Sequence, residues 1–481
     1  MIIKTDFLES YLKDESNYLG KANSVYIPEN EDELQEIISH CFNSDLHFTM
    51  RGAGTGLTAG STPDKDVLIS LEKLNKIKKI DTENERITIE PCVTLEQLDT
   101  YLKEYEYFYP PNPTESKSSL GGNVATNASG SRSFKYGPTR NFVTKLKVIL
   151  PNGEVLKLER GKNIAKNGKL TFNTENNTQI SIDVKNIFNT NVKNASGYYL
   201  TENMDAIDLF IGSEGTLGVF SEIELKILKR PQHIIGLIVW FNNFDKLYDF
   251  FSIINSKINK YSEVQPRIIE FYNTTSLNFL RATFPQIPET ANYAIWIEEE
   301  YNKEDEDKLL ENYFNIISEF SNIPDETWTA MSEEEHKKFA TFRHSLPEKT
   351  TELVRQLGHT KLSIDVAVPM PLLKEYYLKV EEVFKGLEMP SCIYGHISSA
   401  HLHCDMFYSN AQEKVLADKI YSKVISIGLD LGGVVSAEHG IGKIKRQFFY
   451  QMYDEETINY MKSIKSTFDT KNLLGNNNLF Y

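Results

Sequence analysis

The chain has 481 residues, of which 40% are hydrophobic, so it is long enough for two or three domains with real cores. Its 52 basic and 67 acidic residues leave a formal net charge of −15, which argues against a nucleic-acid-binding surface. The four cysteines form no C-x-x-C pair, so neither a zinc ribbon nor an iron–sulfur cluster is indicated. Without a signal-peptide pattern or an apolar run long enough to span a bilayer, we expect a cytoplasmic protein with no membrane span.

The first 230 residues predict short strands alternating with helices, which is typical of a mixed α/β domain. The predicted helices are 30–42 and 94–103, and a short helix plus loop is predicted over 6–20. The predicted strands are an edge strand over 24–28, strands at 46–50, 67–71 and 87–90, strands at 143–150 and 155–158 joined at Asn152-Gly153, and a half-buried strand through Ile223, Leu225 and Ile227. A surface insertion of short strands and loop is predicted over 159–191. Arg230-Pro231 predicts a domain boundary.

Beyond that boundary the pattern predicts repeated βαβ-type units around a largely antiparallel sheet, which would be a second domain. The predicted strands are 234–241, 267–272, 293–299, 361–368, 391–394 and 401–405, the predicted helices are 245–257, 304–320, 333–344, 371–386, 411–428 and 454–466, and a loop is predicted over 432–442.

Four glycines lie between Arg51 and Gly60, directly after the predicted strand at 46–50. A strand that enters a glycine-dense turn exposes several backbone N–H groups on one concave surface, which suits phosphate oxygens, and Arg51 could add a charge-assisted bond. A Rossmann loop is excluded because neither possible spacing has its third glycine and no helix follows. The alternative is a flexible glycine loop, but the density favours a phosphate cradle.

Two further stretches are built from small residues: Ser119–Gly130, which follows Pro110–Pro113, and Gly212–Val219. Small side chains let a backbone lie flat against a ligand ring or against another backbone. The alternative for Gly121–Gly130 is a helix packed tightly against a sheet.

Three histidines, His396, His401 and His403, lie within eight residues. If 401–405 is a strand, His401 and His403 point to one face, with His396 at the end of the preceding strand, which is a metal-ligand arrangement. Buried, hydrogen-bonded histidines are the alternative. Glu438 and His439 add to the metal hypothesis, because adjacent side chains in an extended loop point to opposite sides, one toward a metal and one toward a reaction centre. Their alternative is a solvated loop.

Two cations are candidates for holding an anionic substrate. Arg343 lies on a predicted helix, and Lys361 shares one strand face with Ser363 and Asp365. Taken alone, each is more often a surface cation.

With these residues assembled, the chain resembles the FAD-linked oxidoreductases of the vanillyl-alcohol-oxidase type, in the group of D-lactate dehydrogenase, the glycolate oxidase catalytic subunit and D-2-hydroxyglutarate dehydrogenase. The resemblance runs from about residue 20 to 470 and includes all three glycine segments. It implies an α+β fold with a two-subdomain PCMH-type FAD-binding domain over 20–231, a ferredoxin-like antiparallel-sheet substrate (cap) domain over 232–430, and a C-terminal helical segment over 431–481 that completes the active site.

The resemblance also implies the site residues. FAD is expected to bind non-covalently through Arg51, Gly52, Ala53, Gly54, Thr55, Gly56, Leu57, Pro110, Ser119, Gly121, Gly122, Ala125, Thr126, Ser129, Gly130, Gly137, Glu214, Gly215, Gly218 and Val219. A divalent metal, zinc or manganese, is expected on His396, His403 and Glu438. His439 is the expected catalytic base, and Arg343, with Lys361, is expected to bind the substrate carboxylate.

Three departures from the family pattern leave details open. His401 stands where the family has asparagine, so the substrate is open and His401 is a candidate extra ligand. Ser363 stands where some relatives carry a substrate-binding lysine, which Lys361 could replace. Gly475–Asn478 replaces the N-P-G-K that closes over the flavin in relatives.

The predicted activity is therefore FAD-dependent oxidation of a small D-2-hydroxy acid to the 2-oxo acid. The electron acceptor (a quinone, an electron-transfer protein or a partner subunit), a peripheral membrane location through that acceptor, and a homodimer all stay open. The alternatives are a non-redox flavoenzyme similar to alkylglycerone-phosphate synthase, a flavin subunit of a larger electron-transfer complex, and a metal hydrolase. The hydrolase leaves three glycine segments unexplained.

Overall fold

The structure, a computed structural model, describes residues 1–16, 18–255 and 264–481. In the first 230 residues the elements are β1 (Ile2–Lys4), β2 (Ser24–Ile27), α1 (Glu31–Asn43), β3 (Phe48–Arg51), β4 (Val67–Ser70), β5 (Ile77–Asp81), β6 (Arg86–Ile89), α2 (Leu95–Lys103), β7 (Tyr107–Phe108), α3 (Leu120–Ala125), α4 (Ser133–Tyr136), β8 (Val143–Ile149), β9 (Val155–Glu159), β10 (Lys169–Asn173), β11 (Gln179–Asp183), α5 (Ala206–Phe210), β12 (Val219–Lys226) and β13 (Leu228–Lys229).

Two sheets organise this part of the chain. In the first, the strand order is β1-β2-β4-β3, with β2, β4 and β3 parallel and β1 antiparallel to β2. The second is antiparallel, in the order β5-β6-β12-β8-β9. Helix α1 begins where the Asn30 side chain accepts the N–H of Glu33, and α2 begins at a capping box between Thr94 and Gln97, as their sequences predict.

Two expectations for this part are wrong. The described residues of 6–20 form turns rather than a helix. The strand at Ser24–Ile27 is not at an edge, because the N-terminal residues Ile2–Lys4 pair with its outer side. Within the small residues 121–130, the first five lie in the short helix α3.

From residue 231 the elements are β14 (His233–Phe241), α6 (Phe244–Ile254), β15 (Ile268–Tyr272), α7 (Thr274–Arg281), β16 (Tyr293–Tyr301), α8 (Glu306–Phe320), β17 (Trp328–Ala330), α9 (Glu333–Leu357), β18 (Thr360–Ala367), α10 (Leu373–Phe384), β19 (Ser391–Gly395), β20 (His401–Tyr408), α11 (Ala411–Asp430), α12 (Arg446–Met452) and α13 (Glu455–Phe468). The end of the helix predicted over 245–257 lies outside the described residues.

An antiparallel sheet in the order β17-β14-β16-β15-β19-β20-β18 is the centre of this second part, which confirms the predicted antiparallel sheet. One face, with Phe271, Val366 and Leu402, packs under α6, α8, α10 and α11. The opposite face carries Tyr272 and Trp296 and packs under α7 and α9. Because side chains alternate along a strand, this second face also carries the polar residues described below.

Helix α9 is longer than predicted and continues through Pro347 to Leu357. A proline inside a helix has no N–H for the carbonyl four residues earlier, which here belongs to Arg343. The hydroxyls of Thr350 and Thr351 both donate to the Pro347 carbonyl, on the turn that follows the proline. In the part of the chain that the structure covers, no helix is long and apolar enough to cross a membrane.

Candidate active site

Two histidines of β20, a third that follows β19, and a glutamate from a distant loop meet on the second face of the seven-stranded sheet. Side-chain ligand atoms of His396, His401, His403 and Glu438 all lie within 4.8 Å of one another. The Nε2 atom of His396 is 3.2 Å from Oε1 of Glu438, and Nε2 of His403 is 3.8 Å from Oε2 of the same carboxylate. In the β18–β20 register, His403 pairs with Asp365, and His401 pairs with Ala367. The two histidines therefore share one face, as the strand prediction requires.

Asp365, on β18, connects this cluster to the loop that carries Glu438 and His439. Its Oδ2 atom accepts the backbone N–H of His439 at 2.8 Å and that of Glu438 at 3.2 Å. The Nδ1 atom of His439 lies 3.4 Å from the same oxygen. Nε2 of His401 lies 2.6 Å from Oδ1, although the two atoms are not aligned as a hydrogen bond. Asp365 therefore positions both the backbone and the imidazole of His439.

Further contacts hold the same loop in place. The Ser436 hydroxyl at 2.8 Å and the Lys445 ammonium at 3.2 Å both donate to Oδ2 of Asp365. The backbone N–H of Ala437 donates to the Asp365 carbonyl at 2.9 Å. Glu438 and His439 are partly buried and the other side chains in this network are buried, so its geometry is set by packing as well as by hydrogen bonds.

A lysine that the sequence does not predict as a site residue also enters the cluster. The ammonium of Lys193 contacts Oε1 of Glu438 and lies 3.4 Å from Nδ1 of His401. Only 12% of the Lys193 side chain is exposed. The hydroxyl of Ser129, in the second glycine segment, donates to Oε1 of Glu438 at 2.9 Å. Glu438 thus contacts both a predicted cofactor segment and an internal cation.

Burial and neighbouring charges set the protonation states of the cluster. Burial lowers the pKa of His401 to about 3 and that of His403 to about 4, so both imidazoles are neutral near pH 7. Burial alone would raise the pKa of Glu438, but Lys193 and His396 lower it well below its usual range. Burial also lowers the pKa of His439, against the opposing charge of Asp365. His439 is thus favoured as a neutral imidazole able to accept a proton.

His396 is held differently from the other two histidines. Its Nδ1 atom lies 2.7 Å from Oε1 of Glu270, a buried carboxylate on β15. Burial lowers the pKa of His396, but Glu270 and Glu438 outweigh it and the net pKa is raised. A carboxylate on one ring nitrogen orients the other nitrogen, which is the usual support for a metal-ligating imidazole.

The residues present fit a divalent metal ion. His396 and His403 offer Nε2 atoms to a place that the ionised Glu438 carboxylate also faces, and imidazole and carboxylate are ligands that zinc and manganese accept. His401 is less suited to be a fourth ligand, because Asp365 is close to one of its ring nitrogens and Lys193 to the other.

The three glycine segments of the first half come together in one place. The N–H of Ala53 donates to the Ser119 hydroxyl at 3.2 Å, and a Cβ atom at Gly52 would overlap that hydroxyl. The N–H of Glu214 donates to the Ala125 carbonyl at 2.8 Å. The first segment therefore contacts the second, and the second contacts the third.

Glycine is required at different positions of these segments for different physical reasons. Gly121, Gly130 and Gly218 allow close packing, because an added Cβ would overlap Pro91, Asn112 and Val148 respectively. Gly215, by contrast, has a φ of 65° and open space where a Cβ would lie. At the first segment, the residues at the tip of the loop, Ala53, Gly56 and Leu57, are exposed. The segments thus present accessible backbone above a tightly packed base, which fits an extended cofactor such as FAD.

Several predicted cofactor residues already have partners within the protein. The guanidinium of Arg51 donates to the carbonyls of Lys13 at 2.9 Å and Ser10 at 3.3 Å. The buried carboxylate of Glu214 accepts the N–H groups of Ile441 and Gly442 at 2.8 and 2.7 Å. Of the remaining predicted residues, Pro110 is buried two residues after β7, Gly137 ends α4 with a φ of 87°, Val219 begins β12, and the Thr126 hydroxyl donates to the Gly122 carbonyl.

The end of the chain closes over the first glycine segment, although its sequence departs from the family pattern. The Asn478 amide donates to the carbonyls of Gly60 at 2.7 Å and Glu214 at 3.2 Å. The buried ammonium of Lys443 donates to the Asn478 side chain at 2.6 Å and to the Thr62 carbonyl at 2.8 Å. Lys443 is also absent from the residues that the sequence predicts.

The two predicted substrate cations lie in different environments. Arg343, on α9, is 9% exposed and donates to the Thr114 hydroxyl at 3.2 Å, directly after the Pro110–Pro113 stretch. Its guanidinium carbon lies 6.0 Å from the centre of the Trp296 ring, on the sheet face that carries the histidine cluster, and its charge contributes to the lowered pKa of the buried Glu270. Lys361 instead lies 2.7 Å from Oδ2 of the fully buried Asp405. The charge of Lys361 is therefore already compensated.

The three glycine segments, joined through Ser129 to the histidine–carboxylate cluster, fit a flavin-dependent oxidoreductase. The chain belongs to the family of FAD-linked oxidases. The model of the FAD binding domain matches residues 22–159, and that of the FAD linked oxidases, C-terminal domain, matches residues 230–479. The predicted membership of this FAD-binding oxidoreductase family is confirmed.

Curated relatives cover nearly the whole chain. The glycolate oxidase subunit GlcD of Bacillus subtilis (strain 168) is 27% identical over 96% of this chain and 90% of its own length. The D-lactate dehydrogenase of Anaerostipes hadrus is 27% identical over 100% of this chain and 94% of its own length. The D-2-hydroxyglutarate dehydrogenase of Stutzerimonas stutzeri is 25% identical over 100% of this chain and 96% of its own length.

A solved structure confirms the predicted fold class. An alkyldihydroxyacetonephosphate synthase superimposes with a TM-score of 0.69 over 98% of this chain and 81% of its own, at 17% identity. At that identity the likeness concerns the α+β fold alone.

Proposed function

We propose that this enzyme oxidises a small D-2-hydroxy acid to the corresponding 2-oxo acid, with non-covalent FAD as the hydride acceptor and a divalent metal bound at the histidine cluster. The observation that carries the proposal is the hydrogen bond between Ser129, in a cofactor segment, and Glu438, in the cluster. It joins the redox site to an acid–base site. The names of three relatives, which refer to glycolate, D-lactate and D-2-hydroxyglutarate, support the substrate class.

His439 is the proposed general base. Oxidation of an alcohol to a ketone removes a proton from the hydroxyl oxygen and a hydride from the carbon, so the site needs one proton acceptor and one hydride acceptor. Bound FAD supplies the hydride acceptor. His439 has a lowered pKa and its Nδ1 atom faces Asp365, which leaves Nε2 as the proton-accepting atom.

His396, His403 and Glu438 are the proposed metal ligands. When bound there, a zinc or manganese ion would polarise a hydroxyl oxygen and lower its pKa. Glu270 orients His396, and burial keeps His403 neutral, so both imidazoles are prepared to ligate.

Arg343 is the proposed carboxylate-binding residue. A guanidinium can hold a carboxylate with two parallel hydrogen bonds, which fixes the orientation of a small acid. In the structure the Arg343 guanidinium donates to the Thr114 hydroxyl and lies over Trp296, on the same face of the sheet as the cluster. Lys361 is a weaker candidate for this role because Asp405 already neutralises it.

The domain assignment also stays a proposal: an FAD-binding domain over 20–231, a substrate domain over 232–430 and a C-terminal segment over 431–481. The family models, which match on either side of residues 160–229, support a division near Arg230-Pro231. We further propose that the protein works in the cytoplasm and passes electrons to a quinone, an electron-transfer protein or a partner subunit.

Anaerobic mixing of the FAD-loaded enzyme with D- and L-2-hydroxy acids, with and without a chelator, tests the proposal. We expect a D-hydroxy acid to bleach the absorbance of oxidised flavin and the chelator to slow the bleaching. Bleaching that is equal with and without chelator would remove the metal from the mechanism. If FAD stays bound and no hydroxy acid bleaches it, a non-redox flavoenzyme becomes the better explanation.

A further inference from the structure

Lys193 places a positive charge beside Glu438, where the proposed metal ion would bind. Its ammonium contacts Oε1 of Glu438, the oxygen that also lies 3.2 Å from Nε2 of His396. The same ammonium is 3.4 Å from Nδ1 of His401. An ammonium is a compact cation with three donors, so Lys193 satisfies the Glu438 carboxylate without any metal.

The backbone around Lys193 is fixed to the loop that carries Glu438. The N–H of Ala195 donates to the Ser436 carbonyl at 2.9 Å, and the Ser196 hydroxyl donates to that carbonyl at 3.0 Å. In return, the N–H of Ser436 donates to the Ser196 hydroxyl at 3.1 Å. The backbone segments that carry Lys193 and Glu438 are therefore held side by side, so a side-chain rotation is needed to separate the two charges.

A divalent ion on Glu438 and an ammonium in contact with the same oxygen repel each other strongly in a buried site. With only 12% of the Lys193 side chain exposed, solvent screens this repulsion weakly. Metal binding must therefore either displace the ammonium or tolerate its repulsion, and both lower the affinity for metal.

We propose that Lys193 is an internal cation that competes with the divalent metal for Glu438 and so limits how tightly the histidine cluster binds metal. This inference rests on the metal site in the proposed function. Removing the charge of Lys193 should tighten metal binding, whereas a residue that merely positioned Glu438 would weaken it when removed.

Calorimetric titration of the FAD-loaded, metal-stripped protein with Mn²⁺ and with Zn²⁺ tests the proposal. We expect Lys193→Met and Lys193→Gln to bind metal about tenfold more tightly or better than the wild type, and Lys193→Arg to stay close to it. Lys135→Met is the matched control, since Lys135 pairs with Glu300 outside the cluster and its removal should leave metal affinity unchanged. Retained flavin absorbance checks that each variant is folded.

The outcomes separate this inference from the metal in the proposed function. If the wild type binds no metal but Lys193→Met does, and Glu438→Gln abolishes that binding, Lys193 occupies the site fully and the inference stands while the metal leaves the mechanism. Equal or weaker metal affinity in both Lys193→Met and Lys193→Gln overturns the inference, as does an absence of metal binding in all folded variants.

Discussion

The Nδ1 atom of His439 lies 3.4 Å from Oδ2 of Asp365, a fully buried carboxylate that also accepts the His439 backbone N–H. Buried carboxylates that face one nitrogen of an imidazole fix its orientation and stabilise its protonated form. Because the charges of His439 and Lys445 outweigh burial, the pKa of Asp365 lies well below its usual range and the residue is ionised. Asp365 is therefore a positioning residue for the proposed base.

Asp365→Asn should slow substrate-driven flavin reduction on the order of a hundredfold while FAD stays bound. The amide keeps the shape of the side chain but removes the charge that stabilises protonated His439. Stopped-flow measurement of flavin absorbance checks this, and the conservative variant Asp365→Glu should recover part of the rate. A reduction rate equal to that of the wild type would show that the proton leaves by another route.

Arg343→Lys should raise the KM for a hydroxy acid on the order of tenfold to a hundredfold, with a smaller change in kcat. Lysine keeps the charge but loses the planar pair of donors that holds a carboxylate. Steady-state kinetics with an artificial electron acceptor measures both constants. If kcat falls and KM is unchanged, Arg343 does not bind the ground-state carboxylate.

Lys361→Met should mainly lower stability, because it leaves the buried Asp405 without its cation. We expect a loss on the order of 1–3 kcal/mol, less than for a fully buried pair because about a third of the Lys361 side chain is exposed. Denaturant unfolding of Lys361→Met, Asp405→Asn and the double variant measures the coupling, and the double variant should be more stable than Lys361→Met. A KM increase as large as that of Arg343→Lys would instead make Lys361 a substrate contact.

Glu299 should make the protein less stable as the pH rises. Burial raises the pKa of Glu299 to about 7, although Tyr313 and the N–H of Gln265 oppose the shift. Since the pKa of an unfolded glutamate is about 4.3, the folded state holds the proton more tightly, and its advantage is lost between about pH 4 and 7.

Glu299→Gln removes this titration. Its free energy of unfolding relative to the wild type should therefore be higher at about pH 8 than at about pH 5, by on the order of 1–3 kcal/mol, and its relative melting temperature should rise accordingly. Calorimetric melting at both pH values measures the difference. A relative stability that does not change with pH would mean that Glu299 does not titrate in this range.

Much of the fold and part of the site follow from local patterns. The caps of α1 and α2, the alternation in β12, and the period of two that puts His401 and His403 on one face all depend on neighbours in the sequence. The length of helix α9 is harder to predict from the sequence. The helix continues past Pro347, where the local rule for proline predicts a break, because tertiary packing can override local propensity.

The charge network could not be predicted, because its partners come from distant parts of the chain. Asp365 gives no local sign that it meets His439, and Lys193 follows a stretch rich in Asn, Lys and Thr that favours a solvated interpretation. One available signal is the run of small residues Ala195–Gly197, which begins two positions after Lys193 and is similar in composition to the glycine segments. Those residues are buried in the structure.

The central claim, that His439 takes the hydroxyl proton during hydride transfer to FAD, is tested most directly by a single anaerobic turnover of His439→Ala. The wild type and the variant, both FAD-loaded, are mixed with the D-hydroxy acid that reduces the wild type best, and the flavin absorbance is followed. We expect rapid bleaching in the wild type and, with FAD still bound, a rate lower by about a hundredfold or more in His439→Ala. Bleaching of His439→Ala at the wild-type rate would contradict the account.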